Sequence, residues 1–561
     1  MNDPARTVGR TADPTASPSF DAAPVYRFLE ESARRYPDAP ALHFMGARLT
    51  YTALENRVAR AARGLQELGV GPGVHVGLLL PNTPHYAIAF LAILRAGGTV
   101  VNYSPLDAER TLAHKIEDSR TDVLITLDLQ DLYPRARGLL ENSRLRHLVV
   151  GEVAEMAADA EAVRAALKAQ GQLAEVDWDS RQRRFAALMD NAGDYRAYPI
   201  DDPAEEVAVL QYTGGTTGAP KGAVLTHGNL AGACKQMRAC FQQELVPGEE
   251  RVLAVLPPFH IYSMVVNLLF GLHLAAELYL HLRFDVEAVL RDIHEHRLSV
   301  IPAVPTMFIT LIHHPDVARF DLTSLKMCNS GGAPLPLDVQ QRFSALTGCR
   351  LGEGWGMTET ASAGTYTPMS GDRPPLGSCG LVVPGVRMKI APLDGEGTLD
   401  RNQRGEICVA GPNVTRAYWN NPEATRASMT DDGYFRTGDV GYLDENDYVF
   451  VVDRTKDMIL CGGYNVYPRT IEEAVYEHDD VEEVSVIGVA DAYRGQSPMA
   501  FVKLRDGAGP LTLEDLKAFL ADKLGKHEMV QALEVREQLP KTPVGKLSKK
   551  ELSDEMESFS L

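Results

Sequence analysis

Short apolar runs alternate with helix-periodic segments along the chain, and this alternation limits the fold more than any other feature. An apolar stripe at helical spacing begins after Thr52, and it consists of Leu54, Val58, Ala61, Leu65 and Leu68. It is followed by the apolar run Val74–Leu80, a second helical stretch over Tyr86–Arg95 and the run Thr99–Tyr103. Strands that alternate with helices of this length form βαβ units and a mostly parallel sheet covered on both faces. The sequence therefore predicts an α/β fold.

Four strand-like runs in the middle of the chain each end in a loop rich in Gly, Ser, Thr or Pro. The runs are Val207–Gln211, Val252–Leu256, Leu325–Asn329 and Leu351–Glu353. In open α/β sheets, ligands bind beyond the carboxyl ends of the strands. We expect the four strands to be neighbours, so that their loops converge on one cleft.

The pattern changes after Gly438. Short strand-like pieces with turn signals lead to the charged segment Asp453–Asp457. Further helices and strands are predicted beyond it, such as Thr470–Tyr476, Glu483–Val489 and Leu513–Lys523, and they suffice for a small domain with its own core. We expect a disordered lead-in over 1–24, a large domain of layered, mostly parallel sheets with flanking helices over 25–455, and a small mobile α+β domain over 456–561. The charged crossing between the two domains would act as a hinge.

Composition excludes several classes of protein. The 561 residues contain 56 Lys and Arg against 75 Asp and Glu, a net charge of −19, so a nucleic-acid coat is disfavoured. The seven cysteines form no CxxC pair, which suits reduced thiols in a cytoplasmic protein. Polar residues interrupt the apolar stretch Ile261–Leu280, which predicts a buried helix plus strand in place of a membrane span. Peripheral bilayer contact and homodimer formation stay open.

The strongest local signal is the decapeptide Thr213-Gly214-Gly215-Thr216-Thr217-Gly218-Ala219-Pro220-Lys221-Gly222. Its glycines let backbone N–H groups approach an anion, its threonine hydroxyls donate hydrogen bonds, and Lys221 supplies a positive charge. It does not match the Walker A pattern, because Gly222 follows Lys221. The alternative is a Gly/Thr-rich surface turn. The combination predicts a polyphosphate site.

This decapeptide and four further segments resemble the adenylate-forming superfamily of acyl-CoA synthetases, peptide-synthetase adenylation domains and luciferases. The segments are Gly354-Trp355-Gly356-Met357-Thr358-Glu359, Tyr434–Asp439, Asp453–Asp457 and Pro540–Lys546. They follow the family's order, and the resemblance runs from about Thr50 to Leu552. In detail, the sequences of Leu256–Tyr262, Lys456–Leu460 and Gly463–Pro468 are most similar to those of bacterial fatty-acid–CoA ligases.

The resemblance implies an AMP-forming acid–thiol ligase of lipid metabolism that uses ATP, Mg²⁺ and CoA as a co-substrate. Such an enzyme would activate a medium- or long-chain fatty acid as acyl-AMP and then transfer the acyl group to CoA. An aryl-CoA ligase (4-coumarate- or benzoate-like) with the same two steps is the alternative. A P-loop kinase or ATPase and a non-catalytic nucleotide or acyl carrier are rivals of other classes.

The resemblance also implies roles for individual residues. Glu359 would bind Mg²⁺ and Lys546 would stabilise the charge that develops during adenylation, with Thr213 beside the phosphates. Lys456 would be the hinge that brings the CoA-side loop Gly462-Gly463 to the site. The nucleotide-binding set would comprise Thr213, Gly214, Gly215, Thr216, Thr217, Gly218, Lys221, Gly332, Ala333, Pro334, Gly354, Trp355, Gly356, Met357, Thr358, Asp439, Arg454 and Lys546.

The residues alone leave an alternative open at two of these positions. Glu359 would be a helix-start carboxylate after Thr358, and Lys546 would belong to a solvated basic patch.

Four further positions, including the additional candidate His260, also have an alternative. Trp355 stands where the family usually has Tyr, and it would stack on adenine against Gly332–Pro334 or simply fill a core. Asp439 would accept the ribose hydroxyls or belong to a turn. Arg454 would reach ribose and phosphate or form a surface salt bridge. His260 would line an acyl pocket or be a satisfied core histidine.

Overall fold

The computed structural model describes residues 20–213, 220–461, 464–491, 493–542 and 545–559. In chain order its strands are β1 (Pro40–Phe44), β2 (Ala47–Thr50), β3 (His75–Leu78), β4 (Thr99–Asn102), β5 (Thr121–Leu127), β6 (His147–Gly151), β7 (Gln182–Arg184), β8 (Val207–Thr213), β9 (Lys221–Thr226), β10 (Arg251–Ala254), β11 (Glu277–Leu280), β12 (Val300–Ala303), β13 (Met327–Gly331), β14 (Leu351–Gly354), β15 (Thr365–Tyr366), β16 (Leu381–Val382), β17 (Arg387–Ala391), β18 (Gly405–Ala410), β19 (Phe435–Leu443), β20 (Val449–Arg454), β21 (Ile459–Cys461), β22 (Tyr464–Val466), β23 (Val481–Asp491), β24 (Gly495–Leu504) and β25 (Ala532–Val535).

The described part of the chain also contains α-helices, most of which lie between these strands in the sequence. They are α1 (Arg27–Arg35), α2 (Tyr51–Glu67), α3 (Pro84–Arg95), α4 (Glu109–Asp118), α5 (Tyr133–Asn142), α6 (Ala160–Ala169), α7 (His227–Cys240), α8 (Phe270–His273), α9 (Val286–His296), α10 (Pro305–Ile312), α11 (Leu337–Thr347), α12 (Pro422–Ala427), α13 (Pro468–Tyr476), α14 (Leu513–Leu520) and α15 (Lys549–Phe559). The predicted α/β class is confirmed.

Local sequence explains how the predicted helix α2 begins and ends. The Thr50 side chain accepts a hydrogen bond from the Ala53 N–H at 3.2 Å and so caps the first turn. The predicted stripe is buried from Leu54 to Leu65, and its last member, Leu68, is partly buried at the C-cap. Gly69 follows with φ +87°, a conformation that glycine adopts without steric strain, and the helix stops there.

Two seven-stranded sheets form the centre of the molecule. The first has the order β7-β6-β5-β3-β4-β8-β9 and the second the order β14-β13-β12-β10-β11-β1-β2. All neighbours are parallel except β8–β9 and β1–β2. Strands such as β3 and β4 are buried at every position, as expected where helices cover both faces.

The expectation that four middle strands are neighbours is wrong in two respects. β8 belongs to the first sheet, whereas β10, β13 and β14 belong to the second. Moreover, β12 lies between β10 and β13. The loops still meet, because the Gln211 amide at the end of β8 donates to the Phe259 carbonyl after β10 at 2.8 Å. The cleft therefore lies between two sheets.

Two smaller sheets lie toward the C-terminal side. The antiparallel sheet β17-β18-β19-β20 pairs Asp439 with Arg454 across adjacent strands. The last sheet has the order β22-β21-β24-β23, with β25 on β24. One hydrophobic cluster consists only of residues between Ile459 and Leu533, so this part of the chain packs around a core of its own.

The apolar stretch Ile261–Leu280 forms buried structure, as predicted. It contains a π-helix over Ser263–Leu269, then α8 and the interior strand β11. Among the described helices, none combines the length and the hydropathy that a membrane crossing requires.

Candidate active site

The β8–β9 hairpin carries the two described ends of the predicted phosphate loop. Thr213 is paired with Lys221 across the hairpin, and its hydroxyl donates to the Lys221 carbonyl at 3.3 Å. Lys221 is exposed, and its Nζ lies 5.3 Å from the centroid of the Tyr418 ring. Gly214, Gly215, Thr216, Thr217 and Gly218 lie outside the described residues, so their predicted roles stay predictions.

Glu359 lies just beyond β14, in a short 3₁₀ turn over Thr358–Thr360. Its side chain is buried, and the Tyr418 hydroxyl donates to Oε1 at 2.7 Å. Burial raises the pKa of Glu359, while the Tyr418 hydrogen bond and the nearby Arg454 act in the opposite direction. The result is a buried carboxylate held by the Tyr418 hydroxyl, and Lys221 approaches the ring of the same tyrosine.

The loop that leads to Glu359 is tightly packed. A β-carbon at Gly356 would lie 2.2 Å from the Ser362 carbonyl oxygen, so only glycine fits there. Gly354 ends β14 beside Asn329, where an added β-carbon would lie 3.2 Å from Asn329 Nδ2. Met357 donates its backbone N–H to the Thr360 hydroxyl at 3.0 Å, and Thr358 begins the turn.

Asp439 holds two other predicted residues together. The Trp355 indole Nε1 donates to Oδ2 at 2.7 Å, and Arg454 Nε donates to Oδ1 at 2.7 Å. Trp355 is 9% exposed and also packs on Gly364. Each carboxylate oxygen has two lone pairs, so Asp439 keeps acceptor capacity for hydroxyl groups of a ligand. Trp355 is thus a buried, hydrogen-bonded aromatic side chain, and its predicted stacking on adenine stays a prediction.

Lys546 reaches the carboxyl ends of the second sheet from the C-terminal tail. A β-carbon at Gly332 would lie 2.8 Å from Lys546 Nζ, and the Thr306 hydroxyl donates to the Gly545 carbonyl at 3.3 Å. Gly332 has φ +81° and opens the loop that continues with Ala333 and Pro334. Burial lowers the pKa of Lys546 to about 8, with Arg454 lowering it and Asp439 raising it.

His260 lies in the loop after β10. Its Nδ1 accepts a hydrogen bond from the Tyr262 N–H at 3.2 Å. Burial, and secondly the nearby Lys546, lower the pKa of His260 to about 3, so the imidazole is neutral. The ring therefore belongs to the same cleft as Lys546, and it has a backbone partner as a core histidine would.

Lys456 lies in the turn that follows β20. The N–H groups of Asp457 and Met458 both donate to the Arg454 carbonyl, at 3.0 and 3.1 Å. Burial and the neighbouring Arg454 lower the pKa of Lys456. The predicted CoA-side residues Gly462 and Gly463 lie outside the described residues.

The donor set suits a divalent cation only if a ligand completes its coordination. Among the described residues, no group of three or more His, Cys, Asp or Glu side chains could hold a metal ion. Mg²⁺ in nucleotide enzymes is bound by one or two carboxylates plus substrate phosphates. Buried Glu359 beside the phosphate hairpin fits that arrangement.

A buried ion pair joins this region to the C-terminal part of the chain. Arg469, the second residue of α13, places Nη2 3.6 Å from Glu353 Oε1 in β14, and both side chains are buried. The Arg469 N–H donates to Asp453 Oδ2 at 2.9 Å, and Nη1 donates to the Val451 carbonyl at 2.6 Å. Burial raises the pKa of Glu353 to about 7, and Arg469 opposes that shift.

Sequence reasoning missed three features of this site. They are the Tyr418 contacts to Glu359 and Lys221, the Glu353–Arg469 pair, and the contribution of α10 through Thr306. Each depends on residues far apart in the chain. The segment Ala417-Tyr418-Trp419-Asn420-Asn421-Pro422 offered one signal, a pair of aromatic residues before a helix start.

Known families and relatives match most of this chain. The family model described as AMP-binding enzyme matches residues 29–419, and the model of the AMP-binding enzyme C-terminal domain matches residues 470–546. The long-chain-fatty-acid–CoA ligase of Bacillus subtilis (strain 168) is 38% identical over 530 residues, which cover 94% of this chain and 93% of that protein. The 4-coumarate–CoA ligase CCL1 of Humulus lupulus is 30% identical over 94% of this chain and 93% of its own length.

Solved structures show the same architecture. The crystal structure of ATP-bound MatB from Rhodopseudomonas palustris superposes with a TM-score of 0.81 at 27% identity. The superposition covers 96% of this chain and 100% of the MatB chain.

Proposed function

The chain belongs to the AMP-binding enzyme family, and from this premise we propose that it is an ATP-dependent fatty-acid–CoA ligase for medium- or long-chain acids. The observation that carries the proposal is the position of Lys546, seated against Gly332 and within electrostatic reach of Arg454 and Asp439. A nucleotide-binding protein without chemistry would not require a tail lysine in this cleft. The relative in Bacillus subtilis supports the choice of a fatty acid as the substrate.

In the first step the carboxylate of the acid attacks the α-phosphorus of ATP, and pyrophosphate leaves. Thr213 and Lys221 would hold the β and γ phosphates, and Asp439 with Trp355 would hold the nucleoside. Lys546 would lie between the acid and the α-phosphate, where it offsets the negative charge of the transition state. A bound Mg²⁺, held by Glu359 and phosphate oxygens, would supply further charge neutralisation.

In the second step the thiol of CoA attacks the acyl carbon, a thioester forms and AMP leaves, with the thiol proton passing to solvent. The C-terminal part would turn at Lys456, withdraw Lys546 and bring Gly462-Gly463 to the cleft. We infer that the chain divides there into domains 25–455 and 456–561. The separate core between Ile459 and Leu533 supports this division.

We place the reaction in the cytoplasm. All seven cysteines are free thiols, and all of them except the partly exposed Cys240 are buried, where oxidation would disturb packing. Free thiols suit a reducing compartment.

Mass spectrometry of the products formed from ATP, CoA and mixed acids tests the function. We expect AMP, pyrophosphate and acyl-CoA, with chains of medium or greater length preferred. ADP or free phosphate as the product would contradict adenylation. Preference for cinnamate or benzoate over every fatty acid would favour the aryl-CoA ligase alternative. The similarity to the Humulus lupulus 4-coumarate–CoA ligase is the reason for including these acids.

The first half-reaction should lose activity above about pH 8. Only the protonated Lys546 carries the required charge, and its pKa is lowered to about 8, so a rise in pH through this value removes the charge. We expect kcat/KM for ATP in pyrophosphate formation to fall as the pH rises above about 8, and this decline is the basic limb of the pH profile. In Lys546→Arg the limb should disappear, because guanidinium keeps its proton, whereas a limb that persists in that variant would assign it to another group.

Replacing Arg469 by methionine should destabilise the orientation of the C-terminal part of the chain that places Lys546 in the cleft. Glu353 would remain buried without its cation, and breaking such a pair costs about 3–5 kcal/mol in stability. We expect slower adenylation, while thioester formation from supplied acyl-AMP is retained. Glu353→Gln combined with Arg469→Met should recover part of the loss, as measured by thermal unfolding and both half-reactions. Equal loss of both steps in all variants would contradict an orienting role.

A further inference from the structure

Tyr418 is fixed in place by backbone pairing next to the phosphate hairpin. Its segment runs beside β9, because the Val224 N–H donates to the Ala417 carbonyl at 3.0 Å and the Trp419 N–H donates to the Gly222 carbonyl at 2.7 Å. The Tyr418 N–H itself donates to the Thr425 hydroxyl at 3.0 Å. The side chain therefore projects from a backbone that cannot shift independently of β9.

Two charged side chains of the site contact this one tyrosine. Its hydroxyl donates to Glu359 Oε1 at 2.7 Å, and its ring centroid lies 5.3 Å from Lys221 Nζ. A buried carboxylate depends strongly on such a donor, because an unsatisfied charge away from water is destabilising. The face of an aromatic ring attracts an ammonium group at this separation.

We propose that Tyr418 is a positioning residue for the first half-reaction: its hydroxyl aims the Glu359 carboxylate and its ring sets the position of the Lys221 ammonium. The two charged residues belong to different sheets, since Lys221 begins β9 of the first sheet and Glu359 follows β14 of the second. Tyr418 thereby holds the Glu359 carboxylate and the Lys221 ammonium in a fixed position relative to each other. The inference rests on the proposed function for the roles of those two residues.

A double-mutant cycle on the unliganded protein tests the hydroxyl contact without any turnover. The variants are Tyr418→Phe, Glu359→Met and the double variant, and the measurement is the unfolding equilibrium in denaturant. We expect the two changes to be coupled by about tenfold in the unfolding constant. Additive effects would show that the hydroxyl does not hold the carboxylate and would overturn this part of the proposal.

Binding of a non-hydrolysable ATP analogue with and without Mg²⁺ tests the functional consequence. By calorimetry, Tyr418→Phe should weaken Mg²⁺ binding to the protein–analogue complex about tenfold, with metal-free analogue binding unchanged. Tyr418→Leu, which also removes the ring beside Lys221, should weaken the metal-free analogue as well. In assays of pyrophosphate release, Tyr418→Phe should raise the Mg²⁺ requirement and leave KM for the acid unchanged.

Tyr279→Phe is the matched control. Tyr279 is buried, accepts a hydrogen bond from Arg48 at 3.0 Å and donates to Glu277 at 3.3 Å, outside the cleft. It should leave Mg²⁺ binding unchanged. Equal Mg²⁺ effects in both phenylalanine variants, or none in Tyr418→Phe, would overturn the proposal. A wild-type protein that releases no pyrophosphate with any acid, yet shows the Tyr418–Glu359 coupling, would instead contradict the proposed function alone.

Discussion

Lys546→Ala is expected to slow acyl-adenylate formation by about 10²- to 10³-fold. The ammonium lies against Gly332, near Arg454 and Asp439, where it can offset charge that grows only during attack on the α-phosphate. Loss of one such preorganised group from a water-poor site has an effect of this size. The measurement is pyrophosphate release from ATP and the acid in the absence of CoA, with thioester formation from supplied acyl-AMP measured in parallel.

The same variant should not be destabilised. A lysine whose pKa is lowered by burial binds its proton less tightly in the folded state than in the unfolded state, so at neutral pH its charge opposes folding. Removing it should leave the unfolding temperature unchanged or raised. The control is Lys541→Ala, five residues earlier in the tail, whose Nζ pairs with Glu483 at 2.6 Å. Equal losses in both alanine variants, or full adenylation in Lys546→Ala, would contradict the assignment.

Much of this architecture follows from local sequence. The helix α2 and the buried strands β3, β4 and β5 are fixed by apolar period, capping and turn residues, all of which act within a few positions. The Gly/Thr-rich loop was likewise predicted as a polyphosphate site from its residue types, whereas the role of Glu359 came from the family resemblance. The resemblance then supplied Asp439, Arg454 and Lys546, which local chemistry alone would leave as a turn, a salt bridge and a basic patch.

What local sequence could not provide is pairing between distant elements. Strand β8, like β10 and β13, is a short run that ends in a loop of small or turn-forming residues, yet it joins the other sheet, since sheet membership depends on which strands and helices pack together. Tyr418 lies 59 positions from Glu359, and Trp355 lies 84 positions from Asp439. Their hydrogen bonds form only once the sheets are packed together, so no periodicity or motif in the sequence predicts them.

The second large effect is expected from Lys456→Pro, which should leave adenylation within about threefold of the wild-type rate and slow thioester formation on the order of a hundredfold. In the structure that has Lys546 against Gly332, the turn after β20 brings the N–H groups of Asp457 and Met458 to the Arg454 carbonyl. Proline fixes φ at its own position and removes one N–H group. A second orientation that requires a change of φ there is thereby blocked.

Lys456→Ala separates the backbone from the side chain, because alanine removes the charge near Arg454 and keeps rotation about φ. If rotation about φ at position 456 is required, Lys456→Ala should retain thioester formation and Lys456→Pro should lose most of it. The two half-reactions are measured separately, as pyrophosphate release without CoA and as acyl-CoA formation from supplied acyl-AMP. A proline variant that loses both steps equally would indicate a misfolded turn, and one that retains both would show that the C-terminal part of the chain does not pivot at this residue.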